Sequence, residues 1–215
     1  MYINNKSISK IVRNENGGNM SLKGSNTTAT YLEWAEFQFL IQRLEKDKDY
    51  KYCLLIATGV YTGLRISDLL NIKYSDIIGK ERLVVTEKKT NKRREIKINK
   101  DLRELVERIF QLQNTSNSDN YMFINRFGSK PIDKSYVNVQ LKRIQRKYRI
   151  KLDAGFSTHS FRKTLGRRVI SVNDNSEMSI YLLMELFGHS SPQITKRYLG
   201  IRQQEIFDVY DALSL

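Results

Sequence analysis

Three features of the sequence predict a mainly α fold with one small antiparallel β-sheet. Apolar residues recur at helical spacing in most segments from Thr30 onward. The period changes to two only around residues 82–98. Helix stops and starts are marked by Thr62-Gly63, Gly188 and Ser191-Pro192. No repeat at a solenoid period is visible.

Residues 1–29 are rich in Asn, Ser, Gly and Lys and read as a flexible N-terminal tail, leaving 30–215 as one domain. Thr30 is placed to cap a helix, with Glu33 completing a capping box and Trp34, Phe37, Leu40, Ile41 and Leu44 on its apolar face. A second helix is expected from about Tyr50 to Tyr61. A third begins near Leu64 and carries Leu69, Leu70 and Ile72. Leu83–Val85 and Ile96–Ile98 form two strands, joined by the basic run Thr-Glu-Lys-Lys-Thr-Asn-Lys-Arg-Arg-Glu, a β-hairpin with a basic tip. Asp101–Leu112 is amphipathic and helical, and 114–120 is a polar loop. Tyr121–Ile124 is expected as one more short strand. Asp133 caps a helix reaching about Tyr148. Further helices are expected over Thr158–Ser171, Met178–Phe187, a short stretch from Pro192, and about Arg202–Leu213.

At 215 residues and 40% hydrophobic, the chain can bury one sizeable core. Its longest apolar stretches, such as Cys53–Ala57, are far too short to span a bilayer, and MYINNKSISK lacks the apolar centre of a signal peptide. One cysteine excludes an internal disulfide and fits a reducing compartment, so a cytosolic protein is expected. The net charge of +14 favours a polyanionic partner, nucleic acid first and an anionic membrane surface second. Neither GxxxxGK[ST] nor GxGxxG occurs. Two histidines thirty residues apart and one distant cysteine cannot supply a zinc cluster of familiar spacing, so no metal or cofactor is expected. Any catalysis falls to Arg, Lys, His, Tyr, Ser or carboxylates.

Three segments fit that requirement: Thr62-Gly63-Leu64-Arg65-Ile66-Ser67-Asp68, His159-Ser160-Phe161-Arg162-Lys163, and Gly188-His189 followed by Tyr198 nine residues after the histidine. Alone, each is weak; an H-x-x-R arises by chance in roughly one chain in six of this composition. Their conjunction, in order, with a basic hairpin between the first two, resembles the active-site boxes of the tyrosine recombinase (phage integrase) family over about residues 30–210. The resemblance implies a recombinase catalytic-domain fold. It also implies site-specific breakage and rejoining of double-stranded DNA, as in integration, excision or inversion within a mobile element. A homo-oligomer is implied on DNA, a tetramer with the segment 199–215 exchanged between protomers, while a monomer is possible without DNA.

The residues carry this chemistry on their own terms. Charge gathers on a phosphorane during phosphodiester transfer, and two guanidinium forks, Arg65 and Arg162, suit its non-bridging oxygens. A phenol with pKa near 10 attacks poorly unless deprotonated, so Tyr198 needs a base, for which His159 is placed. The departing 5′-oxygen needs an acid. Lys89 resembles the family's Lys-Thr-Gly hairpin lysine, with Asn91 in place of Gly. Lys88 is its alternative, since neighbours on a strand point to opposite faces. His189 is suited to hydrogen-bond the phosphate and the nucleophile. A phosphotyrosine link keeps the ester energy, so rejoining needs neither ATP nor metal.

The sequence departs from the family pattern in places. Asp68 stands where Glu is frequent and is expected to support Arg65. Lys163 stands where a second His is frequent. Most members carry a helical core-binding domain before the catalytic domain, and a 29-residue tail cannot be one. The expectation is therefore either a fragment or a short recombinase of the fimbrial-switch kind. A type IB topoisomerase-like relaxing enzyme and a non-catalytic DNA-binding protein on the same fold are the alternatives.

Overall fold

The computed structural model describes residues 30–114, 117–128, 130–152, 155–174, 176–201, 207 and 210–213. The expected N-terminal tail and most of the helix expected over 202–213 lie outside the described residues.

The first helix, α1 (Trp34–Lys46), starts three residues later than the Thr30 cap would place it. Leu32 is buried, and its N–H donates to Thr164 Oγ1 at 2.9 Å, so the chain stays extended until Glu33. Glu33 and Glu36 then close a reciprocal capping box. Phe37, Leu40 and Leu44 turn inward onto α2 (Tyr50–Thr62), which is buried almost continuously from Cys53 to Val60. Such an all-round apolar helix belongs in the middle of a core. Gly63 ends it at φ +60°, a conformation that costs a residue without Cβ nothing. Arg65 is extended, so α3 is the single turn Ile66–Leu69, shorter than the helix expected from Leu64.

The sheet pairs β1 (Arg82–Thr86) with β2 (Arg93–Lys97), antiparallel, with Leu83 opposite Ile96 and Thr86 opposite Arg93. The expected strand at Tyr121–Ile124 does not form. Tyr121 bridges Lys73 and Ile124 bridges Pro131, each in isolation. The segment changes partner after one residue, and Pro131 has no N–H with which to continue a ladder.

Helix α4 (Lys100–Leu112) buries Leu102, Leu105, Val106 and Ile109 at i, i+3, i+4 and i+7. Asp133 caps α5 (Lys134–Lys147), accepting the Ser135 and Tyr136 N–H groups at 2.7 and 3.2 Å. Helix α6 (Thr158–Val172) runs through the middle of the molecule and packs on α1, α2 and α5. It also touches α7 (Glu177–Phe187) and α8 (Pro192–Leu199). Its first half is buried although polar, with Thr158, Ser160, Arg162, Lys163 and Thr164 all inside. Two apolar clusters flank it. The larger runs from Leu32 to Phe161; the smaller gathers Ile170, Ile180, Leu183, Phe187 and Leu199. No helix among the described residues is long and apolar enough to cross a membrane.

Candidate active site

A cleft of about 410 Å³ is lined by Ile66 of the larger cluster and by Tyr198, which packs on the smaller one. Arg65, Lys89, His159, Arg162, His189 and Tyr198 all line it, and Lys134, which sequence reasoning missed, lines it too. The six residues expected from sequence are therefore brought together by α2–α3, the hairpin tip, α6 and the α7–α8 corner.

Arg65 and Arg162 share one acceptor. Arg65 Nη2 and Arg162 Nη2 donate to the Phe187 carbonyl oxygen at 3.1 and 3.0 Å. Phe187 is the last residue of α7, where carbonyls lack helical partners and the dipole is negative. Arg162 Nη1 also donates to the Gly63 carbonyl at 2.7 Å, and its guanidinium lies 4.5 Å from the centre of the Phe187 ring. Gly63 and Phe187 are thus held to one buried guanidinium. Gly188, at φ +63°, turns the chain away from α7, and a Cβ there would stand 3.5 Å from Arg65 Nη2.

The carboxylate that supports Arg65 is Glu87, not Asp68. Arg65 Nη1 donates to Glu87 Oε2 at 2.6 Å, Arg94 Nη1 to Oε1 at 3.0 Å, and the Thr90 hydroxyl to Oε2 at 2.8 Å. Asp68 instead takes the Lys88 N–H on Oδ1 at 3.0 Å. Glu87 is 3% exposed. Burial alone would raise its pKa, but the hydrogen bonds from Thr90, Arg94 and Arg65 and the charge of Arg65 outweigh it and hold the carboxyl at about 2. One sequence signal marks Glu87: it is the lone carboxylate among the cations between Thr86 and Arg94.

Lys88 and Lys89 lie in the turn beyond β1, not on the strand, so strand alternation does not separate them. Their difference comes from the turn itself: the Lys88 N–H is tied to Asp68, and Lys89 lines the cleft. The turn closes through Asn91 at φ +54°, where Asn is among the few side chains tolerated in place of Gly.

Tyr198 sits on α8 with its hydroxyl donating to the His159 main-chain carbonyl at 3.4 Å. Its ring centre is 5.2 Å from that of His189, 5.6 Å from Phe187 and 6.5 Å from His159. Burial raises the phenol pKa, against the pull of Arg162 and Arg65. Burial first, then Arg162 and Arg65, lower His189 to about 4. Burial, then Lys134, Arg162 and Lys163, lower His159. His189 is therefore neutral at pH 7, and its Nδ1 shares a hydrogen bond with the buried Thr195 hydroxyl at 3.1 Å. Among the described residues, no group of three or more His, Cys, Asp or Glu is placed to hold a metal ion.

The depressed Glu87 pKa makes a stability claim. An unfolded glutamate titrates near 4.5 and the folded one near 2, so its contribution is complete above pH 4.5 and is lost as pH falls towards 2. The difference corresponds to roughly 3 kcal/mol. Glu87→Gln should lower the denaturation midpoint at pH 7, and its gap from the parent should close between pH 4.5 and 2. A gap that stays constant down to pH 2 would show that Glu87 is not held ionised by its partners.

The family model described as the phage integrase family matches residues 30–205. A probable integrase/recombinase, YoeC of Bacillus subtilis (strain 168), is 33% identical over 166 residues, covering 76% of this chain and 82% of that one. The tyrosine recombinase XerC of Staphylococcus epidermidis is 29% identical over 183 residues, covering 81% of this chain but 58% of its own length. Among solved structures, XerA recombinase superposes with a TM-score of 0.65 at 21% identity, over 85% of this chain and 64% of that one. XerH site-specific recombinase, bound to palindromic difH substrate, superposes with a TM-score of 0.64 at 18% identity, over 92% and 60%. The chain thus spans less than two thirds of most of these proteins, and the structural likeness is one of fold. With a family match over most of its length and a relative one-third identical, the chain belongs to the phage integrase family of tyrosine-type site-specific recombinases.

Proposed function

We propose that this chain breaks and rejoins double-stranded DNA at specific sites through a 3′-phosphotyrosyl link to Tyr198. The observation that carries the reading is the single cleft in which a tyrosine hydroxyl meets two guanidiniums fixed on one carbonyl. The net charge of +14 suits a phosphate backbone. The XerH and Tn1549 integrase structures, which share the fold, are complexes with DNA.

In this reading Arg65 and Arg162 bind the non-bridging oxygens of the scissile phosphate. Their other donors are already spent on Phe187, Gly63 and Glu87, so little reorganisation accompanies the reaction. His159, its pKa lowered by burial, is free to accept the Tyr198 proton as the oxygen attacks. His189, neutral and held by Thr195, hydrogen-bonds the phosphate and the nucleophile. Lys89 protonates the departing 5′-oxygen. Rejoining reverses these steps. The chemistry takes place in the cytoplasm, on a tetramer that pairs two duplexes. Exchange of the segment 199–215 between protomers is supported by Phe207, Tyr210 and Leu213, which are 51%, 68% and 72% exposed.

On a nicked suicide substrate the protein should form an adduct that survives denaturation, and Tyr198→Phe should abolish it while DNA binding persists. An adduct on the phenylalanine variant would move the nucleophile elsewhere. For the acid, sulfur replaces the bridging 5′-oxygen, giving a leaving group that needs no proton. Lys89→Ala should be slow on ordinary DNA and rescued on the sulfur substrate, and rescue confined to Lys88→Ala would reverse the assignment. Truncation after Gly200 should leave binding to one site intact and impair pairing of two sites in a native gel. Normal recombination by the truncated chain would end the exchange reading.

A further inference from the structure

Lys163 follows Arg162 on α6 and is 4% exposed. His159, Arg162, Lys163 and Gly166 fall at i, i+3, i+4 and i+7, one face of that helix, and this face meets α8. Gly166 allows the approach; a Cβ there would stand 2.5 Å from Leu199 Cδ2, next to the tyrosine. The Lys163 Nζ lies 5.1 Å from the centre of the Tyr198 ring. Among the described residues it has no carboxylate partner and donates no hydrogen bond. It does not line the cleft. The charged and titratable groups acting on it are Arg167 and His159 of its own helix and Tyr198 from α8. Among the described residues, α1, α2, α5 and α7 pair no acidic side chain with it. An ammonium taken from water without a counterion is costly, so its placement over a ring needs a reason.

We propose that Lys163 is a positioning residue for the nucleophile, its ammonium holding the Tyr198 ring from outside the cleft and favouring the ionised phenol. A cation over an aromatic face is drawn to the π-electrons, more strongly when desolvated. Ionising the hydroxyl pushes negative charge into the ring, so the attraction grows as the proton leaves. The cation therefore acts most on the state that attacks phosphorus, which is the condition for raising rate and not merely binding. Burial, then Arg167, lowers the Lys163 amine to about 8. The assistance is present below that pH and fades above it. What the phenolate is used for rests on the recombinase reading; the coupling of Lys163 to Tyr198 does not.

The test places 3-fluorotyrosine at position 198 and follows its ionisation by fluorine NMR, in the full chain without DNA. Below pH 8, where Lys163 is charged, Lys163→Met should lower the ionised fraction of residue 198 about tenfold, and Lys163→Arg should restore it. With the natural tyrosine, single-turnover cleavage by Lys163→Met should be about tenfold slower at unchanged DNA affinity. Lys163→Arg should hold its rate above pH 8, where the parent loses its cation. An ionised fraction below pH 8 that is unchanged in a folded Lys163→Met protein overturns the proposal. If that variant does not fold, parent and Lys163→Arg titrating identically above pH 8 overturns it instead. A chain that shows the coupling yet cleaves no DNA keeps this proposal and refutes the recombinase reading.

Discussion

The carbonyl oxygen of Phe187 accepts from Arg65 and Arg162 at once, and most of the cleft follows from that shared acceptor. Two guanidiniums repel each other, and bringing them close inside a protein requires fixed negative partners. A helix C-terminus supplies partial negative charge without a titratable group. The carbonyl also joins parts of the chain far apart in sequence: the Thr62-Gly63 turn through Arg162, the end of α7 through its own backbone, and α3 through Arg65. The Gly188-His189 corner begins one residue later, so the imidazole is set by the same anchor.

Glu87 extends this arrangement to the hairpin. Its carboxylate takes Arg65 with one oxygen and Arg94 with the other, while Thr90 closes the turn onto it. The turn that carries Lys89 is therefore fastened to the same arginine that stands over the cleft. Removing one partner from such a buried cluster leaves an uncompensated charge, so its members stand or fall together. Asp68 serves the turn from the other side through the Lys88 N–H, and its Oδ2 is buried without a hydrogen bond among the described residues.

Much of this was legible in the sequence because it depends on local rules. Helical spacing located α2, α4 and α6; Gly63 and Gly188 marked stops that need φ above zero; Asp133 and Ser191 marked starts. The resemblance of the segments carrying His159, Arg162, His189 and Tyr198 to the recombinase boxes pointed to residues that line the cleft. What was not legible is set by distant partners. Thr164 delays the first helix by taking the Leu32 N–H, a choice made 132 residues away. Asp68 lies three residues from Arg65, yet the guanidinium turns to a carboxylate across the fold. Lys134 carries no motif of its own and Lys163 stood out only as a departure from one, and only the packing of α5 and α8 against α6 gives them a place.

Helix α8 has eight residues, and only Thr195 and Leu199 are buried in it. A helix that short does not persist in water by itself. It is held by Leu199 seated over Gly166 and by its packing on α7, within the smaller apolar cluster whose Phe187 also anchors both arginines. The nucleophile and the charges that would receive its substrate therefore lean on one small cluster and share its local stability. A substitution that loosens that cluster would undo the seat of the tyrosine and the bed for the phosphate together.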